Sequence, residues 1–251
     1  MSSYPPIASI PKGEGAKGFG KLYLIPTPLG DYPPEQVLPS SVLSLLPTLH
    51  VFVVEEVRTA RRFLSAAGLK GHIGELEFHQ LNEHTSPSDV PSLLELFSGG
   101  TDVGLLSEAG LPAVADPGAL LVEQCHRVGI EVVPLSGPSS LMMALMSSGL
   151  NGQSFAFRGY LSAKSEERKN EIRSLEKTSA QLSQTQILIE TPYRNDALLQ
   201  DILQVCRPST RVCIAADITL PSSFIRTRMV GEWKKNPPTI GKRPCVFLLL
   251  A

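Results

Sequence analysis

Hydrophobic residues along the chain fall into short β-rich runs separated by longer stretches of helical character. KLYLI (21–25) and HVFVVE (50–55) are dense in aliphatic, β-branched and aromatic residues. ELEFHQ (75–80) is a more polar run, and TDVGLLS (101–107) and IEVVPLS (130–136) complete the set. Between them QVLPSSVLSLL, RTARRFLSAAG, SDVPSLLELFSGG and GALLVEQCHRVG read as helices. The last three run into Gly68, Gly99 and Gly129, each a residue type that stops a helix. Strands alternating with helices of this length predict a parallel α/β sheet.

The second half keeps the alternation and then departs from it. SSLMMALMSSG predicts a helix ending at Gly149, SFAFRGY a strand, and the charged KSEERKNEIRSLEKTSAQL an exposed helix. TQILIE, RVCIAAD, SFIRTRMVGEW and PCVFLLL read as strands. The last two are joined by the Pro-rich KKNPPTIGKRP without a helix, which predicts that they pair as antiparallel neighbours. The fold class expected is therefore α/β, with a flexible lead-in over 1–20, an N-terminal α/β domain over 21–137 and a C-terminal α/β domain over 138–251.

Composition narrows the classes. At 251 residues the chain can bury two modest cores, and 42% hydrophobic with 19% charged residues is ordinary for a folded soluble protein. No apolar run approaches the roughly 18 uninterrupted residues of a membrane span. The start, MSSYPPIASIPKGEG, lacks the basic-then-apolar pattern of a signal peptide. Cys125, Cys206, Cys213 and Cys245 are scattered without C-x-x-C spacing and read as reduced thiols, so a cytoplasmic protein free of membrane is expected. A net charge of −1 excludes a protein that coats nucleic acid by bulk charge. An RNA substrate would have to be held by local basic clusters or within a larger assembly.

Chemistry-bearing residues gather in loops that follow the strands. A G-x-G-x-x-G match at Gly13, Gly15 and Gly18 precedes the first strand, the wrong context for a dinucleotide fingerprint, and reads as flexibility. IPTPLGD (25–31) follows the first strand, and on residue grounds alone it is a rigid turn at the edge where α/β proteins bind ligands. SEAGLPAVADPG (107–118) is a twelve-residue run of small side chains that lets backbone approach a ligand, and it carries the carboxylates Glu108 and Asp116. In LSGPSSLMMA (135–144) Ser139 or Ser140 caps a helix whose free N–H groups suit either a plain cap or a polar ligand.

Arg58, Arg61 and Arg62 share one helical face, open to solvent or to phosphate, behind Glu55 and Glu56 at a strand end. His79, Asn82, Glu83 and His84 form a polar cluster whose spacing fits no standard metal site, so hydrogen bonding rather than metal binding is expected of it. ETPYRND (190–196) closes another strand with Tyr193 and Arg194, suited to a base or a phosphate.

Taken in order, these loops resemble the tetrapyrrole methylase superfamily, and within it the 16S ribosomal RNA (cytidine-2'-O)-methyltransferase branch. The resemblance runs from about Lys21 to Ala251 through LYLIPTPLGD, EEVRTARR, NEHT, SEAGLPAVADPG, GPSS and ETPYR. It implies a homodimer of two α/β domains with S-adenosylmethionine (SAM) held in a cleft between them. Carried over by position, it implies that Leu29, Gly110, Leu111, Val114, Ser139 and Ser140 contact SAM. Glu190, Ala216 and Pro244 fall where the adenine would sit. Glu108 stands where the family has Asp, Leu111 where it has a polar residue, and Ala216–Asp217 where it has Arg-Glu. Many members of the family carry an extra C-terminal segment beyond the last strand, which this sequence, ending at PCVFLLLA, is not expected to share.

The expected activity is 2'-O-ribose methylation of ribosomal RNA or of the small ribosomal subunit. A ribose hydroxyl is a poor nucleophile and needs a base within hydrogen-bond reach, for which Glu55, Glu83, Glu108 and Asp116 are the candidates. Arg58, Arg61, His84 and Arg194 are the candidates for holding substrate. Two other readings stay open on sequence grounds. One is methylation of a tetrapyrrole or other small molecule; the other, motivated by the changed Glu108, Leu111 and Ala216, is a SAM-binding protein without catalysis.

Overall fold

A computed structural model describes residues 18–251, which divide into two compact units. One runs up to Pro28 and resumes over Tyr32–Gly137; the other joins Leu29–Asp31 to Pro138–Ala251. Gly13 and Gly15 lie outside the described residues. Gly18 and Gly20, expected in the lead-in, are already tied to the first unit: Gly100 N–H donates to the Gly18 carbonyl at 3.1 Å, and Gly20 N–H to Phe97 at 3.0 Å.

The first unit is built on five strands: β1 (Leu22–Ile25), β2 (Val51–Val54), β3 (Glu77–Gln80), β4 (Val103–Leu106) and β5 (Val132–Pro134). They line up β3-β2-β4-β1-β5, every pair parallel. A parallel sheet is covered on both faces, which is why its central strands are apolar throughout. One face packs Leu22, Val53 and Leu105 against Leu94, Phe97 and Leu121; the other packs Ile25, Phe52 and Leu106 against Val42, Leu46 and Leu64. Gly104 interrupts β4 because a Cβ there would meet Ile25 Cδ1 at 2.7 Å and Phe52 Cδ1 at 2.8 Å.

The covering helices are α1 (Ser40–Leu45), α2 (Val57–Leu64) and α3 (Gly118–Val128). Two predicted helices differ from expectation. The segment expected over 88–100 is a 3-10 helix, Val90–Phe97, with Pro91 in its first turn. The helix expected over 58–68 closes at Leu64 and continues as a wider π turn, Ser65–Leu69, because Gly68 takes a left-handed φ of 107°.

The second unit holds α4 (Ser140–Ser148), β6 (Phe155–Phe157), α5 (Ser165–Leu182), β7 (Thr185–Ile189) and α6 (Asn195–Val205), followed by β8 (Arg211–Ala216), β9 (Phe224–Met229), α7 (Val230–Trp233) and β10 (Cys245–Leu250). The run expected to be a single strand over 223–233 is therefore a strand that turns into a helix at Val230. Strand order is β6-β7-β10-β8-β9.

The expected pairing of the last two strands does not occur. β9 pairs antiparallel with β8, while β10 inserts antiparallel between β7 and β8. The reason lies in their side chains. Every residue of β10 is buried, Phe247 and Leu249 in one core and Val246 and Leu248 in the other. Such a strand belongs in the sheet centre, whereas β9 carries Arg226 and Arg228 and takes the edge, where charge is tolerated.

Candidate active site

All five strands of the first unit point the same way, so the loops after β1, β2, β3 and β4 emerge at one sheet edge. β2 delivers two glutamates there, and they face different tasks. Glu56 caps α2: its carboxylate accepts the N–H of Arg58 at 3.0 Å and of Thr59 at 2.6 Å, and these bonds hold it below the usual carboxylate range. Glu55 turns to the loop after β4, its Oε2 accepting the Glu108 N–H at 3.2 Å. Burial pushes the Glu55 carboxyl above its ordinary value, and the negative charges of Asp116, Glu108 and Glu83 push it further. The structure thus brings together the four carboxylates expected to supply a base, with Glu55 in their midst.

The loop over 107–118 is shaped by backbone conformations that side chains resist. Gly110 has φ 81°, Ala113 64° and Ala115 57°, and for the two alanines the left-handed region costs about 1–2 kcal/mol each. Asp116 holds the curve: its Oδ1 accepts the Ala113 N–H at 3.2 Å and the Gly118 N–H at 2.6 Å, the latter opening α3. Burial also raises the Asp116 carboxyl. Thr27 and Gly110 exchange backbone hydrogen bonds of 2.9 and 3.1 Å, locking the loop after β1 to the loop after β4. Thr27 Oγ1 and Ser107 Oγ are buried at these strand ends without a hydrogen-bond partner among the described residues. Composition and spacing carried no signal for that pair; only their places at strand ends hinted at it. Backbone strain and orphaned hydroxyls in one place are the marks of a ligand site.

Arg58 and Arg61 are exposed on α2, Arg61 with its guanidinium 5.8 Å from the Phe78 ring centre. A tight turn after β3, in which Asn82 Oδ1 accepts the His84 N–H at 2.9 Å, carries Glu83 toward Glu55 and leaves His84 in solvent, 3.7 Å from the Glu83 carboxylate. His79 does not join them; its ring meets Glu77 at 2.7 Å.

In the second unit the strand register places Glu190, Ala216 and Pro244 at one end of the sheet. Cys245 pairs with Ala216 and Val246 with Ile189, and Asp217 N–H donates to the Pro244 carbonyl at 2.9 Å. Glu190 Oε1 accepts from Thr191 N–H at 2.7 Å and from Arg194 Nη2 at 2.6 Å, while its buried Oε2 has no partner among the described residues. The Arg194 guanidinium, expected to meet substrate, is thereby paired inside its own unit. Ser139 caps α4, its Oγ accepting the Met142 N–H at 3.4 Å, and Ser140 opens the helix. Leu29 packs against the core formed by Leu141, Ala144 and Ile218, and a Cβ on Gly30 would meet Leu220 at 2.6 Å.

Residues 21–232 match the family described as Tetrapyrrole (Corrin/Porphyrin) Methylases. The chain belongs to this family. Among its relatives, Ribosomal RNA small subunit methyltransferase I of Vibrio cholerae serotype O1 is 33% identical over 211 residues, 84% of this chain and 69% of that one. The protein of the same name from Escherichia coli O157:H7 is 30% identical over 233 residues, 92% of this chain and 77% of that one. Solved structures share the fold. The methyltransferase CobJ superposes with a TM-score of 0.61 at 17% identity, covering 92% of this chain and 94% of that one. Uroporphyrin-III C-methyl transferase from Thermus thermophilus, complexed with S-adenyl homocysteine, gives 0.57 at 18%, covering 92% and 97%.

Tetrapyrrole methylases are SAM-dependent, and the residues present fit that cofactor. The orphaned Thr27 and Ser107 hydroxyls and the left-handed backbone at Gly110 offer polar contacts beside small side chains. The free Glu190 Oε2 is a buried acceptor of the kind an amino group needs.

Proposed function

We propose that this methylase transfers the SAM methyl group to a ribose 2'-hydroxyl of small-subunit ribosomal RNA. The observation that carries the mechanism is Glu55, a half-buried carboxylate whose proton affinity is raised by burial and by three neighbouring acids. A base of raised pKa at a partly dry strand end suits removal of a hydroxyl proton at neutral pH. Glu108, Asp116 and Glu83 act through their charge on Glu55, and Asp116 also shapes the loop. Arg58, Arg61 and His84 are assigned to the RNA; exposure of both arginines on one helix face leaves their guanidinium forks open to phosphates. SAM, when bound, supplies a methyl group already activated on a sulfonium sulfur; the protein orients the hydroxyl, excludes water and accepts its proton.

SAM itself is assigned to Leu29, Gly110, Leu111, Val114, Ser139 and Ser140, with Glu190, Ala216 and Pro244 toward the adenine. The names of the relatives support the ribosomal substrate. Four buried free thiols support the cytoplasm, three of them held up at about 12 by burial. No described helix is long and apolar enough to cross a membrane. The homodimer is retained from the resemblance and is read by light scattering.

The test is incubation of purified protein with methyl-labelled SAM and 30S subunits from cells lacking the corresponding gene. Label recovered at a ribose of 16S ribosomal RNA is the expected result. Intact SAM binding without label in the RNA would move the acceptor to a small molecule or remove catalysis altogether.

A further inference from the structure

The near-neutral total hides an uneven distribution. Residues 138–251 hold 15 Lys and Arg against 9 Asp and Glu, whereas residues 1–137 hold 8 against 15. In the second unit the acids are largely committed. Glu166 and Glu167 pair with Lys169 and Lys164, Asp201 with Arg168, Glu190 with Arg194, and Asp217 faces Ser222 and Arg243. Arg226 and Arg228 of β9 are among the cations that form no salt bridge with a carboxylate among the described residues, and Lys234 and Lys235, exposed just after α7, follow them in sequence.

Among the described residues β9 is an edge strand, paired with β8 on one side alone. Its alternation sends Phe224, Arg226 and Arg228 to the face that carries Trp233. There Arg226 lies 5.7 Å from the centre of the Phe224 ring, and Arg228 lies 5.3 Å from that of Trp233. A guanidinium laid on an aromatic ring keeps its orientation while its N–H edge stays available, so both arginines are preset to grip an anion. Residues two apart on a strand are spaced by about 6.7 Å, a repeat that matches successive phosphates of a nucleic-acid backbone.

We propose that the β9 edge, through Arg226 and Arg228, is a docking surface for the phosphate backbone of the substrate RNA. The proposal rests on the ribosomal RNA reading above and adds a contact surface far in sequence from the arginines of α2. Its chemistry is sequence-independent, so it supplies affinity and register, while choice of nucleotide lies elsewhere.

The full chain is tested by fluorescence anisotropy with a labelled single-stranded RNA of 16S sequence. The Arg226→Ala/Arg228→Ala variant is expected to bind about tenfold or more weakly, and its log K against log salt to be shallower by roughly 1 to 2. Arg226→Lys/Arg228→Lys, which keeps both charges, should retain the wild-type slope. Arg173→Ala/Lys177→Ala on the exposed face of α5 should bind as wild type. Wild-type binding by the alanine pair overturns the surface, as does a wild-type protein that does not bind RNA. A lysine pair as weak as the alanine pair also overturns it, since the loss would then come from packing on Phe224 and Trp233. Methyl transfer to 30S subunits is read separately: binding lost in the variant, with no transfer by the wild type, leaves the surface standing and retires the catalytic reading.

Discussion

Glu55 and Glu56 are adjacent, chemically identical and electrostatically opposite. Two backbone N–H groups hold Glu56 ionised at the start of α2, whereas burial and neighbouring acids favour the protonated form of Glu55. Because the folded pKa of Glu55 is raised, its contribution to stability is present at low pH and is lost as pH rises through that raised value. The catalytic form appears over the same interval. Wild-type turnover should therefore climb with pH through an ionisation above that of an ordinary glutamate. Glu55→Gln should lose that limb and about 10²–10⁴ in kcat, while melting relative to wild type improves toward neutral pH. A glutamine variant of undiminished turnover would move the base to another carboxylate. Thr27 shows the same tension between stability and use. Its buried hydroxyl has no hydrogen-bond partner among the described residues, which costs about 1–3 kcal/mol. Thr27→Val should raise the melting temperature and weaken SAM affinity measured by calorimetry; a stabilised variant with unchanged affinity would take Thr27 out of the site.

Among elements, the loop over 107–118 carries the most local strain, and one side chain holds it. Asp116 accepts from Ala113 in the left-handed region and from Gly118 at the start of α3, joining the loop to the helix behind it. Asp116→Ala should cost about 1–3 kcal/mol in chemical denaturation, the usual loss when partly buried N–H groups lose their acceptor. It should also release the loop, seen as faster amide exchange over 108–115. Asp116→Asn, which keeps an acceptor, should recover most of the stability. Gly137 serves close approach differently: a Cβ there would run into the Pro26 ring, so only glycine lets the backbone pass. Gly137 and Pro26, more than a hundred residues apart in sequence, thereby meet within the first unit.

At the scale of the whole molecule, each unit has its own cores, and the order of strands differs from the order of synthesis. The consequence is sharpest for β10, the last strand of the chain and the central strand of its sheet. A chain ended at Arg243 should fail to form the second unit, because β7 and β8 would each face an open ladder and Phe247 would leave its core empty. Trp233, the single tryptophan, is buried with its indole N–H donating to Val212 at 3.0 Å, so its emission reports directly on that unit. The truncated chain should emit at the wavelength of exposed tryptophan and lose SAM affinity; native emission would show that the sheet closes without β10.

Much of the architecture is legible along the chain because it is local. Runs such as HVFVVE and PCVFLLL identify strands through short-range periodicity, and the loops that follow strands β1 to β4 could be named as candidate chemistry from position alone. The arginines of β9 and the wholly apolar β10 even carried the signal that separates edge from centre, although the short connection between them pointed to a hairpin. Tertiary structure decided what depends on partners distant in sequence. Backbone ladders are chemically alike, so side-chain burial on both faces set the placement of β4 between β1 and β2 and of β10 between β7 and β8. The same holds for the site. Sequence supplied the carboxylates, but the fold alone turned Glu55 toward Glu108, committed Glu56 to a helix cap, matched Arg194 to Glu190, and left the Thr27 and Ser107 hydroxyls buried without a partner among the described residues. A pKa or an unmet hydrogen bond is a property of surroundings, and the chain acquires surroundings by folding.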